Sequence, residues 1–267
     1  MDLGLTVDGR HIEAVWHGPA PDIAPTLVLL HEGLGCVAMW RDFPAQLADR
    51  TGYGVFAYSR PGYGKSDPIP RPPALRYMDD EAFAILPAVL DQAGVRKAIL
   101  VGHSDGASIA AIYAGGRQDF RVRALALMAP HFFVEDLSLR SIMAAKQAYE
   151  AGDLRARLQR HHGDNVDTAF YMWNAAWLDA GSRNWRIDDR LVHIRVPILI
   201  VQGDDDPYGT PEQIAFARQE TSCPVDALVL TGCRHSPHLE RPQKTLAAVA
   251  DFAHRVLTVH EGVASLA

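Results

Sequence analysis

The chain has 267 residues, 48% hydrophobic and 22% charged, with 26 basic and 32 acidic side chains and a net charge of −6. At roughly 100–200 residues per domain this allows one large domain or two small ones, and the balance excludes a largely disordered or fibrous chain. A mildly acidic chain without a basic stripe is not the profile of a nucleic-acid binder, and no apolar run approaches the roughly 18 residues of a membrane span.

In chain order, Leu3–Val7 and His11–Trp16 flank Asp8-Gly9, the sequence of a tight hairpin turn. Five short apolar runs follow: Thr26–Leu30, Gly54–Tyr58, Ala98–Val101, Leu125–Met128 and Ile198–Val201. Each is apolar on both faces, as strands of a parallel sheet covered by helices on both sides must be. Helical patterns lie between them at Trp40–Arg50, Arg76–Gln92, Gly106–Gly115 and Pro211–Glu220. Alternating strand and helix predicts an α/β fold with a mostly parallel central sheet. From Phe132 to Arg190 the rhythm breaks; these 59 residues contain helix formers and no convincing strand. A connection so far beyond the usual 2–6 residues reads as a helical cap inserted into a core made of residues 1–131 and 191–267. The chain then returns to the sheet, adds a strand at Ala227–Leu230 and closes with a helix at about Gln243–Thr258.

The motif Gly102-His103-Ser104-Asp105-Gly106 is a G-x-S-x-G set between an apolar run and an Ala-rich helical stretch. A strand-to-helix turn of this kind forces the serine into a strained conformation and leaves its hydroxyl exposed above the sheet. A serine hydroxyl is a weak nucleophile at neutral pH and needs a base, which in turn needs an orienting carboxylate. Elbow enzymes carry these in the order Ser, acid, His. Past the 198–201 run comes Gly203-Asp204-Asp205-Asp206-Pro207, and past the next strand Gly232-Cys233-Arg234-His235-Ser236-Pro237. The backbone N–H of Asp105, the residue after the serine, is one expected oxyanion donor.

Over about residues 11–258 the sequence resembles the α/β-hydrolase superfamily, as a capped serine hydrolase of the esterase or C–C hydrolase kind. The resemblance implies Asp206 as the acid, with Asp205 and then Asp204 as competitors, and His235 as the base. It implies Gly33 of His31-Glu32-Gly33-Leu34-Gly35 as the second oxyanion donor, with Leu34 the near alternative. Glu32 departs from the His-Gly start common in the family. A carboxylate facing developing negative charge is unfavourable, so Glu32 is expected to turn away and bond backbone N–H groups of its own loop. Ser59–Ser66 resembles the family's R-G-x-G-x-S loop and reads as a tight turn; neither a P-loop nor a dinucleotide fingerprint is met, so no cofactor is expected. No metal is expected either, and His238 reads as a surface or capping residue, His161-His162 as a solvated helix end.

The resemblance implies that the cap shapes the substrate pocket, with Trp173, Trp177 and Trp185 as candidates alongside Leu34, His131 and Tyr208. The implied reaction is hydrolysis of a small carboxylic ester through an acyl-enzyme on Ser104; thioester, lactone or C–C (β-diketone-like) cleavage uses the same machinery. The resembling dehalogenases and epoxide hydrolases use an aspartate nucleophile, against which Ser104 counts. A hydrolase-like ligand receptor without turnover is the reading from a different class. Cys36, Cys223 and Cys233 form an odd set without metal spacing, and Met1-Asp2-Leu3-Gly4 lacks a signal peptide's basic start. The expected setting is the cytoplasm, with reduced thiols, a small-molecule substrate, no nucleic-acid or membrane partner, and a monomer or homodimer.

Overall fold

The computed structural model describes residues 2–70 and 76–264. Its centre is a sheet of eight strands: β1 (Asp2–Val7), β2 (Arg10–His17), β3 (Thr26–Leu30), β4 (Gly54–Tyr58), β5 (Ala98–His103), β6 (Val122–Met128), β7 (Ile198–Gly203) and β8 (Val225–Leu230). They lie in the order β1-β2-β4-β3-β5-β6-β7-β8. Only β2 runs against its neighbours; every pair from β4 to β8 is parallel. The first hairpin closes through Asp8 at φ 49° and Gly9 at φ 75°, the two left-handed residues that match a two-residue turn to the strands' twist.

β3, β4, β5 and β7 are buried at every position, and alternate side chains serve two separate layers. Val28, Leu30, Phe56, Leu100, Leu125 and Ile200 face one core; Leu27, Leu29, Val55, Ile99, Val101 and Leu199 face the other. In chain order the helices of the core begin with α1 (Phe43–Thr51), then α2 (Tyr77–Asp80) and α3 (Leu86–Gln92) joined through a π-helical turn at Glu81–Ile85, then α4 (Asp105–Gly116). Between β6 and β7 come α5 (Asp136–Ala151), α6 (Leu154–His162), α7 (Val166–Trp177) and α8 (Asp188–Leu191). After them follow α9 (Glu212–Glu220), α10 (Pro237–Glu240) and α11 (Pro242–Ala264). α1 and α11 cover one face of the sheet; α2, α3, α4 and α7 pack on the other.

The segment between β6 and β7 is helical, and its two ends are pinned together by a β-bridge between Phe133 and Arg186. Ile187 N–H donates to the Phe132 carbonyl at 2.9 Å beside it. The sheet strands extend further than their apolar runs, because the ladders continue through Gly102-His103, Gln202-Gly203 and Val225-Asp226. The first helix starts at Phe43 rather than Trp40, since Val37–Trp40 is a separate 3-10 turn followed by Arg41 at φ 51°. No helix among the described residues is long and apolar enough to cross a membrane. The parallel direction of β3, β5, β6, β7 and β8 brings five loops to one edge of the sheet, where ligands of open α/β sheets bind.

Candidate active site

Ser104 joins β5 to α4 at φ 53°, ψ −118°, a conformation that costs a residue with a Cβ roughly 1–3 kcal/mol. The two glycines of the motif are there because backbone passes where a Cβ would lie. On Gly102 that atom would stand 2.4 Å from Ala107 Cα, and on Gly106 2.0 Å from the Leu30 carbonyl oxygen. Strand and helix therefore close against each other and against β3, and the sharp turn is absorbed at Ser104. Its N–H donates to the Met128 carbonyl at 2.9 Å, which ties the elbow to β6.

His235, on the loop after β8, has its Nε2 2.9 Å from Ser104 Oγ and its Nδ1 2.9 Å from each oxygen of Asp206. Asp206 accepts in addition from Gln202 Nε2 at 2.7 Å and from the Tyr208 N–H at 2.8 Å. Burial works to raise its carboxyl, but the His235 hydrogen bond and charge and the Tyr208 N–H outweigh it and hold the group below the usual carboxylate range. The neighbouring aspartates go elsewhere: Asp204 accepts from the Gly232 N–H at 2.7 Å, and Asp205 is exposed. Gly203 permits the loops after β7 and β8 to approach this closely. A Cβ there would lie 2.1 Å from the Cys233 carbonyl oxygen and 2.3 Å from that of Arg234.

On the other side of Ser104, Asp105 opens α4, so its N–H has no acceptor within the helix. Its buried side chain accepts from Tyr77 Oη and from Trp177 Nε1 at 3.3 Å, with Arg60 Nη2 at 4.0 Å. Burial raises this carboxyl above its ordinary value, against the opposing pull of Arg60, Tyr77 and Trp177. Arg60 is itself nearly inaccessible, donating to the Glu32 carbonyl at 2.9 Å and lying 4.6 Å from the centre of the Tyr63 ring. Gly33 lies under Trp173, whose Cδ1 would be 2.1 Å from a Cβ at that position. The Leu34 carbonyl accepts from His162 Nε2 at 3.0 Å.

Three sequence expectations are corrected here. Glu32 does not cap its own loop; its Oε2 lies 3.2 Å from Nδ1 of His103, in the space left by the missing side chain of Gly35. His238 is buried, its ring 4.8 Å from those of both Trp40 and His103, and burial pushes it down to about 3 and so keeps it neutral. His162 is also buried, accepting from the Gly64 N–H at 3.0 Å and joining the Ser59–Ser66 turn to the Gly33–Leu34 loop; His161 remains exposed.

A model of the alpha/beta hydrolase family matches residues 27–249. The chain belongs to that family. Proline iminopeptidase of Lactobacillus helveticus is 23% identical over 268 residues, spanning 85% of this chain and 89% of that protein. Among solved structures, a putative lipase from Acinetobacter baumannii AYE superposes with a TM-score of 0.77 at 20% identity, over 97% of this chain and 92% of that one. The enol-lactonase from Burkholderia xenovorans LB400 gives 0.75 at 18%, over 94% and 99%. Identity this low shows a shared fold.

In this α/β-hydrolase the remaining candidates fall unequally around Ser104. The rings of Tyr208 and His131 lie 4.6 and 5.8 Å from that of His235, and Trp177 lies 5.2 Å from His131. His131 is pushed down to about 3 by burial, then by the charge of His235, so it is neutral. Trp185 packs on Trp177 at 5.6 Å rather than on any of these groups. Two cavities lie elsewhere. One of about 700 Å³ opens at the far edge of the sheet among Arg117, Phe120, His193 and Pro224; one of about 380 Å³ lies among Arg60, Tyr63, Glu81 and Met172. Neither is lined by Ser104. Sequence reasoning missed Tyr77 and His103, whose importance comes from buried partners rather than from any motif position that demands their type, and read Arg60 only as part of the Ser59–Ser66 turn.

Proposed function

We propose that this protein is a serine hydrolase that cleaves a small carboxylic ester through an acyl-enzyme on Ser104. The observation that carries the reading is the single imidazole of His235 within 2.9 Å of both the Ser104 hydroxyl and the Asp206 carboxylate. Asp206 is an obligate acceptor, so Nδ1 of His235 donates to it and Nε2 is left free to take the hydroxyl proton as Ser104 attacks a carbonyl. The imidazolium that results is stabilised by the carboxylate and then returns the proton to the leaving alkoxide. Water repeats the sequence on the acyl-enzyme.

The N–H groups of Asp105 and Gly33 serve as oxyanion donors in this reading, each worth about 10²–10³ in rate. Trp173 lying over Gly33 supports a place for it at the substrate, as does Trp177 lying between Asp105 and His131. The segment 132–190 then acts as a cap. Trp173 and Trp177, together with neutral His131, favour an uncharged acyl group. Turnover of p-nitrophenyl acetate and butyrate tests the reading, with covalent capture of Ser104 by a fluorophosphonate. Hydrolysis that disappears in Ser104→Ala is the expected result; a wild type that binds ligand but neither turns over nor labels refutes it. A panel of esters, thioesters, lactones and vinylogous diketones then sorts the bond cleaved.

A further inference from the structure

His103 occupies the unconstrained position before the serine in G-x-S-x-G, yet it is 1% exposed and both of its ring nitrogens face oxygen. Nδ1 lies 3.2 Å from Glu32 Oε2 and Nε2 2.7 Å from the main-chain carbonyl oxygen of His235. A carbonyl has no proton to offer, so Nε2 must be the donor in the second contact. Nδ1 then either donates to a carboxylate or accepts from a carboxylic acid, and one proton is shared by the pair.

The surroundings decide where that proton sits. Burial on its own works against charge on either partner, but the hydrogen bond between them reverses this: His103 is raised above its ordinary value, and Glu32 is held well below the carboxylate range. The other titratable groups facing His103 are Asp206, His131, His235 and His238, of which His131 and His238 are neutral. With Nε2 donating to the carbonyl, the shared proton belongs on His103 rather than on Glu32, as an imidazolium facing a carboxylate.

The bond to His235 falls where it matters. The loop carrying that residue is held on its N–H side by Glu240, which accepts from Arg234 at 2.8 Å and from Ser236 at 3.0 Å. Of the two carbonyls between those N–H groups, His103 takes that of His235. We propose that Glu32 and His103 are positioning residues for the reaction proposed above, fixing the main chain of His235 so that its ring reaches Ser104 and Asp206 together. The proposal rests on the serine-hydrolase reading.

Loss of the shared proton leaves either Nδ1 facing the carboxylate or Nε2 facing the carbonyl with lone pair against lone pair. The pair therefore fails as pH rises through the raised value of His103, and kcat declines there. In Glu32→Ala the imidazole loses its anchor, and kcat for p-nitrophenyl butyrate falls about 10–100-fold with little change in KM, the scale of a misplaced catalytic group. Glu32→Gln keeps the shape: its amide donates to an unprotonated Nδ1 and leaves Nε2–H on the carbonyl. That variant recovers all but a few-fold of the activity, and its pH profile loses the alkaline decline. A merely structural role for Glu32 would leave the profile unmoved. Nitrogen–proton correlation spectra of the wild type taken across the pH range supply a readout independent of turnover, in which the second ring proton of His103 is lost above the ordinary imidazole value.

A second ring proton of His103 lost at or below the ordinary imidazole value, or Glu32→Ala and Glu32→Gln with the wild-type kcat and profile, overturns the proposal. If Glu32→Ala does not fold, Glu32→Gln and the spectra carry the test. A wild type inert toward every ester and toward the fluorophosphonate overturns the catalytic reading and this one with it. An active wild type with indifferent Glu32 variants overturns this one alone.

Discussion

Two carboxylate–histidine pairs flank Ser104, and they differ in what lies beyond the imidazole. In the Asp206–His235 pair the far nitrogen faces a hydroxyl at 2.9 Å, a group that both donates and accepts. In the Glu32–His103 pair the far nitrogen faces a carbonyl oxygen at 2.7 Å, which only accepts. The first imidazole is free to gain and lose a proton without breaking a contact, which is what a general base requires. The second loses a contact whenever it loses its proton, which suits a strut. The anchoring differs in the same sense. Asp206 takes donors from Gln202 and Tyr208 as well as from His235, whereas the hydrogen bond to His103 is the leading influence opposing burial at Glu32.

The largest expected effect comes from breaking the first pair at its hydroxyl. Ser104→Ala should lower kcat for p-nitrophenyl butyrate by about 10⁶-fold, while the second pair keeps both contacts and thermal stability stays within about 1 kcal/mol. The same carboxylate-to-amide change then separates the pairs. In Asp206→Asn the amide turns the His235 tautomer so that Nε2 carries the proton and cannot accept one, and the expected loss is about 10⁴-fold. Glu32→Gln, as argued above, should cost only a few-fold. Steady-state kinetics of the two amides side by side measure the contrast, and equal losses would erase it.

The first pair was legible in the sequence and the second was not, although both join distant residues. Ser104 and His235 are 131 positions apart, Glu32 and His103 only 71. Distance along the chain is not what hides a contact. A serine in a strand–turn–helix motif demands a base and an acid, which follow it along the chain in a set order. Nothing in His31-Glu32-Gly33 demands a partner, and the unfavourable field of a carboxylate near an oxyanion site has more than one remedy. The loop's own N–H groups were one remedy; a buried imidazolium is the one present. His162 and His238 were misread for a related reason, because polarity predicts exposure only until a neighbouring backbone group or aromatic ring covers the residue. Strand edges were lost where the ladder continues through Gly102-His103 and Gln202-Gly203, which carry no apolar signal but hold the chain at the site. The hairpin and the apolar strand cores were legible because turn chemistry and two-sided burial are local properties.

A change that strains both pairs at once should cost an amount between the losses of the two amides. Gly203→Ala puts a methyl within 2.1 Å of the Cys233 carbonyl oxygen and 2.3 Å of the Arg234 carbonyl oxygen, so the loop carrying His235 must move. A shift of about 1 Å there should lower kcat roughly 10²-fold, and accommodating the methyl should cost about 1–3 kcal/mol of stability. Kinetics and urea unfolding of the one variant measure both. Loss of stability with unchanged kcat would show that the loop can move without disturbing the His235 contacts.

The smallest effect distinguishes strut from base without any substrate. Because the folded state raises His103 above its ordinary value of about 6.5, the native protein there binds a proton that the unfolded chain releases. The stability this supplies is complete below about pH 6.5 and is lost as pH rises through the raised value, with a slope of at most about 1.4 kcal/mol per pH unit. Glu32, held low, acts at the other end: its contribution is complete above the ordinary carboxylate value of about 4.5 and is lost as pH falls. In Glu32→Gln both dependences vanish, and groups that titrate alike in the two proteins cancel in the difference. Urea unfolding free energies of wild type minus Glu32→Gln should therefore fall as pH is raised from 6.5 to 9. A flat difference over that range would mean that His103 carries no extra proton in the folded state, and the two pairs would then not differ in the way their far nitrogens imply.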